Sequence, residues 1–231
     1  MPVPQLLPTG AANENFAGVV YHIEGELVPV LHIELGTMPV FFEHHILLWK
    51  DPSVNIEIKP LKGAFKRMLA GIPIFLTRTV GYGRIAFSRD GVGHVFGMHL
   101  RPNESVDVRE HQFLAATDNV DYTYTRVKGV SNIMFGGTGL FIDTFTSMSQ
   151  DGILWLHGYG NVFEVFLRPG EQIDIECGGW IYKDRTVQME TVRQPLKTGL
   201  LAAAGTLFWN RFTGPGRIGI QSMYIHMPTT E

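Results

Sequence analysis

Val30-Leu31-His32-Ile33-Glu34-Leu35, Val95-Phe96-Gly97-Met98-His99-Leu100 and Val162-Phe163-Glu164-Val165-Phe166-Leu167 are three versions of one apolar, strand-forming run. The second and third continue alike, through the turns Arg101-Pro102-Asn103-Glu104 and Arg168-Pro169-Gly170-Glu171 into the alternating segments Val106-Asp107-Val108 and Ile173-Asp174-Ile175. The first turns at Gly36-Thr37-Met38-Pro39 and enters Val40-Phe41-Phe42 one residue early. Further along, Ile74-Phe75-Leu76, Leu140-Phe141-Ile142 and Leu207-Phe208-Trp209 stand in matching places. The starting valines are 65 and 67 residues apart and the phenylalanines 66 and 67. Two independent landmarks with nearly one interval mark an internal repeat, the feature that governs any reading of a fold.

Short alternating runs between Gly- and Pro-containing turns are the signature of strands and hairpins. The sequence therefore predicts an all-β chain: three repeats of a short double-stranded β-helix or sandwich unit about a pseudo-threefold axis. The boundaries are a mobile N-terminal arm over 1–16 and units over 17–94, 95–161 and 162–231, forming one body. Apolar residues at helical spacing (Leu61, Phe65, Met68, Leu69; Leu196, Leu200, Leu201, Ala204; a shorter Val130, Ile133, Met134) predict short helices between the β halves. Phe75, Phe141 and Phe208 are expected at equivalent buried positions.

Of the 231 residues, 45% are hydrophobic and only 18% charged, which points to extensive buried surface. A net charge of −3 argues against a broad nucleic-acid surface. Cys177 is the single cysteine, so no intrachain disulfide forms. No apolar run approaches the ~20 residues that span a bilayer. Residues 1–15 carry neither the charged start and apolar run of a secretory signal nor an arginine-rich presequence, so the expected location is cytoplasmic.

Three motifs carry a resemblance: Leu-Arg-Pro-Gly-Glu at 167–171, Gly-Thr-Gly-Leu-Phe at 137–141 and Phe-Thr-Gly-Pro-Gly-Arg-Ile at 212–218. Over residues 17 to 226 the chain resembles the altered-inheritance-of-mitochondria protein 24 family. That resemblance implies three copies of a short double-stranded β-helix, similar in fold to the tryptophan RNA-binding attenuation protein. Eukaryotic members are associated with mitochondrial inner-membrane organisation; bacterial-type members have no settled activity, and the resemblance supplies no catalytic motif.

Several groups invite a chemical reading. Glu43-His44-His45, with Glu110-His111 and Cys177-Gly178 in the corresponding places, offers transition-metal ligand types. Neighbouring strand residues point to opposite faces, however, so His44 and His45 do not aim at one ion. His94, His99 and Glu104 loosely resemble a cupin ligand set, but the two histidines are five apart rather than two. His22 and His32 read as half-exposed strand residues. A lone cysteine followed by two glycines reads as a buried, inert thiol. The Gly81-Tyr82-Gly83, Gly91-Val92-Gly93 and Gly214-Pro215-Gly216 turns lack the Lys-Ser/Thr continuation of a phosphate loop. Lys62, Lys66 and Arg67 beside an apolar stripe would suit peripheral membrane contact, but core closure is favoured.

These readings lead to a non-enzymatic assembly, scaffold or interaction protein that forms a homo-oligomer. No catalytic residue, metal or cofactor is expected. The self-association surface is expected at Phe65, Met68, Leu69, Leu200 and Leu201, or at the edges of the units. The alternative is a small-ligand- or metal-binding protein with its site between repeats.

Overall fold

A computed structural model describes residues 2–59, 76–127, 140–193 and 208–223, with the side chains of Ala11, Ala12, His44, Arg126, Val127, Leu140 and Phe141 left out. These residues form 21 strands in four antiparallel sheets. Three lead in: β1 (Gln5–Leu6), β2 (Ala11–Phe16) and β3 (Val19–Glu24). Then come β4 (Val30–Leu35), β5 (Val40–Glu43), β6 (Leu47–Lys50), β7 (Asn55–Ile58), β8 (Leu76–Val80) and β9 (Gly83–Phe87). A second run holds β10 (Gly93–Leu100), β11 (Ser105–Arg109), β12 (Phe113–Thr117), β13 (Val120–Val127), β14 (Leu140–Ser147) and β15 (Gly152–Tyr159). The last holds β16 (Val162–Leu167), β17 (Gln172–Glu176), β18 (Trp180–Asp184), β19 (Gln188–Arg193), β20 (Phe208–Thr213) and β21 (Gly216–Gln221). The all-β class stands. Among the described residues there is no α-helix, only a 3-10 turn at His44–Ile46. The helices expected at 61–69, 130–134 and 196–204 lie outside the described residues.

Alternation decides the strand faces. Leu31, Ile33 and Leu35 of β4 point inward between His32 and Glu34, as the two-residue period of a half-buried strand requires. Pairing follows the sequence order within each run of six. The first strand pairs with the sixth as β4–β9, β10–β15 and β16–β21. The third pairs with the sixth as β6–β9, β12–β15 and β18–β21. The second and fourth both pair with the fifth, on β8, β14 and β20. A register shift interrupts each third strand one residue in, between Leu47 and Trp49, Phe113 and Ala115, and Trp180 and Tyr182. Such a bulge bends its strand and re-aims the side chains after it.

The runs are joined by two strand pairs, β5–β12 and β11–β18. The cores follow those joints. The first cluster packs Ile33, Phe42 and Phe87 against Val95, Leu114 and Ala115 of the second run. The second packs Val106, Val108 and Phe145 against Val162, Ile181 and Tyr182 of the third. The third, around Ile173, Ile175, Trp180, Phe212 and Ile218, takes Ile142 from the second run and, among the described residues, nothing from the first.

Phe208 corrects one expectation. Its register on β20 matches Phe141 on β14, but it is half-buried. The fully buried aromatic of that strand is Phe212, four residues on and against Trp180 at 5.8 Å. Phe75 lies outside the described residues, as does the side chain of Phe141.

Candidate functional site

The outer edge of β4 is covered by β3 and that of β16 by β1. Along β10, the corresponding first strand of the second run, a cleft opens instead. Its cavity measures about 410 Å³ and reaches from Leu7 and Glu14 across Met98 and His99 to Glu164 and Arg217. It therefore draws on the N-terminal strands and on the second and third runs. A hollow of about 890 Å³ shares His99 and Arg217 with it.

Two tyrosines line the cleft, each admitted by a glycine. A Cβ at Gly97 would stand 2.9 Å from the Tyr21 hydroxyl, so glycine in mid-strand leaves the room that ring occupies. Gly219 does the same for Tyr182, its cross-strand partner. The Tyr21 hydroxyl donates to Glu14 at 2.5 Å and lies 3.5 Å from His99 Nε2, which is 3.4 Å from the same carboxylate. The His99 ring stacks on Phe16, centroids 3.9 Å apart. The Tyr182 hydroxyl donates to Glu164. Burial, reinforced by the neighbouring carboxylate, raises both phenols above the ordinary tyrosine range, so each stays a protonated donor. Arg217 closes the far side, donating to Asp184 at 3.0 Å and to Glu104 at 3.1 Å. The arrangement offers fixed donors and carboxylates around an apolar floor of Val95, Phe96 and Met98, a combination suited to orienting a small polar ligand.

A second constellation lies on the β3–β4 hairpin. His22 and His32 are cross-strand partners with stacked rings, centroids 4.6 Å apart, and His32 Nε2 lies 3.1 Å from Glu24. Donor atoms of His22, Glu24 and His32 all fall within 4.8 Å of one another, the one such group of three among the described residues. Burial, then the charge of His22, lowers the pKa of His32, favouring the neutral imidazole that ligates metals. Sequence reading missed this group. The signal was present: His22 and Glu24 are two apart on one strand face, and the hairpin sets His32 opposite His22.

The histidines weighed from sequence are dispersed. Glu43 ends β5, and the 3-10 turn follows, so strand alternation does not govern His44 and His45. Glu43 accepts from Arg89 at 3.0 Å and lies 3.5 Å from His45 Nε2. His111 sits in the turn after β11 at φ +67°. Cys177 is buried; burial, then Glu176, pushes its thiol up to about 12, and Sγ–H donates to the Phe208 carbonyl at 3.5 Å. His94 is buried while His99 faces the cleft, and Glu104 is engaged by the Arg101 amide and Arg217, so these three form no ligand set. Phe65, Met68, Leu69, Leu200 and Leu201 lie outside the described residues. No helix among the described residues is long and apolar enough to cross a membrane.

No curated protein matches the chain. Among solved structures, the X-ray crystal structure of protein SPYM3_0169 from Streptococcus pyogenes is similar, with a TM-score of 0.70 at 20% identity. The match covers 89% of this chain and 94% of that one, a likeness of fold. The family described as Mitochondrial biogenesis AIM24 matches residues 21–223, from Tyr21 within β3 to just past the end of β21. With nearly its whole length matched, this chain belongs to the AIM24 family.

Proposed function

We propose that this protein is a non-enzymatic assembly or scaffold protein, a threefold internal duplication, which associates with copies of itself. The observation that carries this reading is the strand pairing. Each run of six repeats the same partners and the same bulge, yet among the described residues only two joints connect three runs. A repeat unit buries its faces against neighbours, so a terminal unit keeps an unsatisfied face unless it is capped. The double-stranded β-helix architecture implied by the family resemblance belongs to the same reading. Support for a non-catalytic role comes from the cleft and the thiol: Tyr21, Tyr182 and Cys177 are all held protonated, the opposite of an activated nucleophile or base. The test is light scattering over a dilution series. Masses above the 25.9 kDa of one chain are expected, and 25.9 kDa at every concentration would refute self-association.

A second reading, ligand binding, is favoured by the cleft between the runs. Native mass spectrometry of purified protein would then show a retained small molecule, released by Tyr21→Phe or His99→Ala. For a metal, the hairpin group is the better site. Nickel added to the protein would quench Trp49, whose ring lies 5.7 Å from that of His32, and His32→Ala would abolish the quenching.

A further inference from the structure

We propose that copies of this chain join head to tail, β17 of one copy adding antiparallel to the open edge of β6 of the next. The inference rests on the self-association reading and specifies its contact. The two joints inside the chain set the rule: the second strand of one run pairs with the third strand of the following run. In the first, Phe42, Phe41 and Val40 face Ala115, Ala116 and Thr117. In the second, Val108, Asp107 and Val106 face Tyr182, Lys183 and Asp184. The same rule applied once more matches β17, the second strand of the last run, with β6, the third strand of the first. Among the described residues β17 pairs only with β20 and β6 only with β9, so each keeps one edge. The equivalent register sets Ile175, Asp174 and Ile173 against Trp49, Lys50 and Asp51 of the next copy.

Charge fits that register. In the second joint, Lys183 Nζ donates to the Val187 carbonyl at 3.0 Å and to Asp107 at 2.8 Å. Lys50 repeats the first bond, to Val54 at 2.7 Å, and among the described residues has no acidic partner. The residue that would face it, Asp174, is the counterpart of Asp107. A second pair recurs. Glu104 accepts from the Arg101 amide with one oxygen and from Arg217 across the joint with the other. Glu171 accepts from the Arg168 amide in the same way, and Arg84 holds Asp51 as Arg217 holds Asp184. Arg84 of the next copy would thus meet the second oxygen of Glu171.

Apolar surface fits as well. After the bulge, Leu114 and Ala115 enter the first core and Ile181 and Tyr182 the second, all at most 1% exposed. Their counterparts Leu48 and Trp49 are 56% and 39% exposed. The third core, around Ile173 and Ile175, is the one that lacks such a pair. The contact joins unlike surfaces, so repeated copies form a ring where the rotation closes and a filament where it does not.

Full-length Lys50→Cys and Asp174→Cys chains, each alone and mixed, are treated with a short bis-maleimide. Cys177 is buried and protonated and stays out of the reaction. A covalent dimer is expected in the mixture and in neither variant alone; Arg84→Cys with Glu171→Cys repeats the test at exposed and half-exposed positions. Leu48→Arg should lower the mass of the uncross-linked protein. Cross-linking of either variant with itself would overturn the head-to-tail contact. So would an unlinked mixture whose light scattering still reports several chains, which leaves self-association standing on another surface. A single-chain mass throughout would sink both readings.

Discussion

His157 is 1% exposed near the C-terminal end of β15, and burial, then the charge of Arg89, lowers its pKa to about 4. The folded chain therefore binds the proton less readily than the unfolded one, whose imidazole titrates near 6.5. Above pH 6.5 both states carry a neutral ring and nothing is lost. As pH falls from 6.5 through 4 the unfolded state gains the proton first, and stability drops by an amount approaching about 3 kcal/mol. Buried His94, its pKa also lowered by burial, acts in the same direction. Denaturant titrations at pH 7 and pH 5 should show the loss, and His157→Gln should shrink it. Equal stability at the two pH values would contradict the assignment. None of this was legible beforehand. His157 directly follows Ile153-Leu154-Trp155-Leu156, an apolar run with no alternation, so nothing in the sequence says which way its ring points. His22, Glu24 and His32 were legible in principle, because a two-residue spacing and a hairpin register are both sequence properties.

Strands and turns were the readable level. The runs beginning at Val30 and Val162 start β4 and β16 at those residues, and β10 opens two residues before Val95. Their alternation and flanking turn residues fix both ends. The bulges after Leu47, Phe113 and Trp180 were not readable, since an extra residue on one strand is defined only by its partner. Equivalent lysines after those bulges now differ by context. Lys183 is buried against Asp107, and Lys183→Ala should cost about 3 kcal/mol by taking the cation from that carboxylate and leaving it Thr144 and the more distant Arg185. Lys50→Ala removes one bond to the Val54 carbonyl and should cost about 1 kcal/mol in dilute solution. Chemical denaturation of the two variants tests the ranking, and equal costs would mean the Lys183–Asp107 pair contributes nothing special. Truncating buried Phe212 to Ala should cost roughly 3–5 kcal/mol, and half-buried Phe208 clearly less.

At the scale of the molecule, the interval between Val30, Val95 and Val162 predicts repetition, but the joints β5–β12 and β11–β18 link residues about 75 apart, where no local pattern reports pairing. That the described residues make no third joint is visible only once the other two are known. It has a spectroscopic consequence. Trp155 and Trp180 are fully buried, whereas Trp49 lies beside the open edge of β6 and is 39% exposed. In a Trp209→Phe background, which removes the remaining half-buried indole, acrylamide should quench Trp49 at low protein concentration. Raising the concentration should reduce that quenching as β17 of another copy covers the edge and Trp49 turns into its core beside Ile175. Asp174→Lys, which sets like charge opposite Lys50, should keep Trp49 quenchable at concentrations where the parent is protected. If quenching is unchanged while the mass rises with concentration, the copies meet on a surface that leaves β6 open.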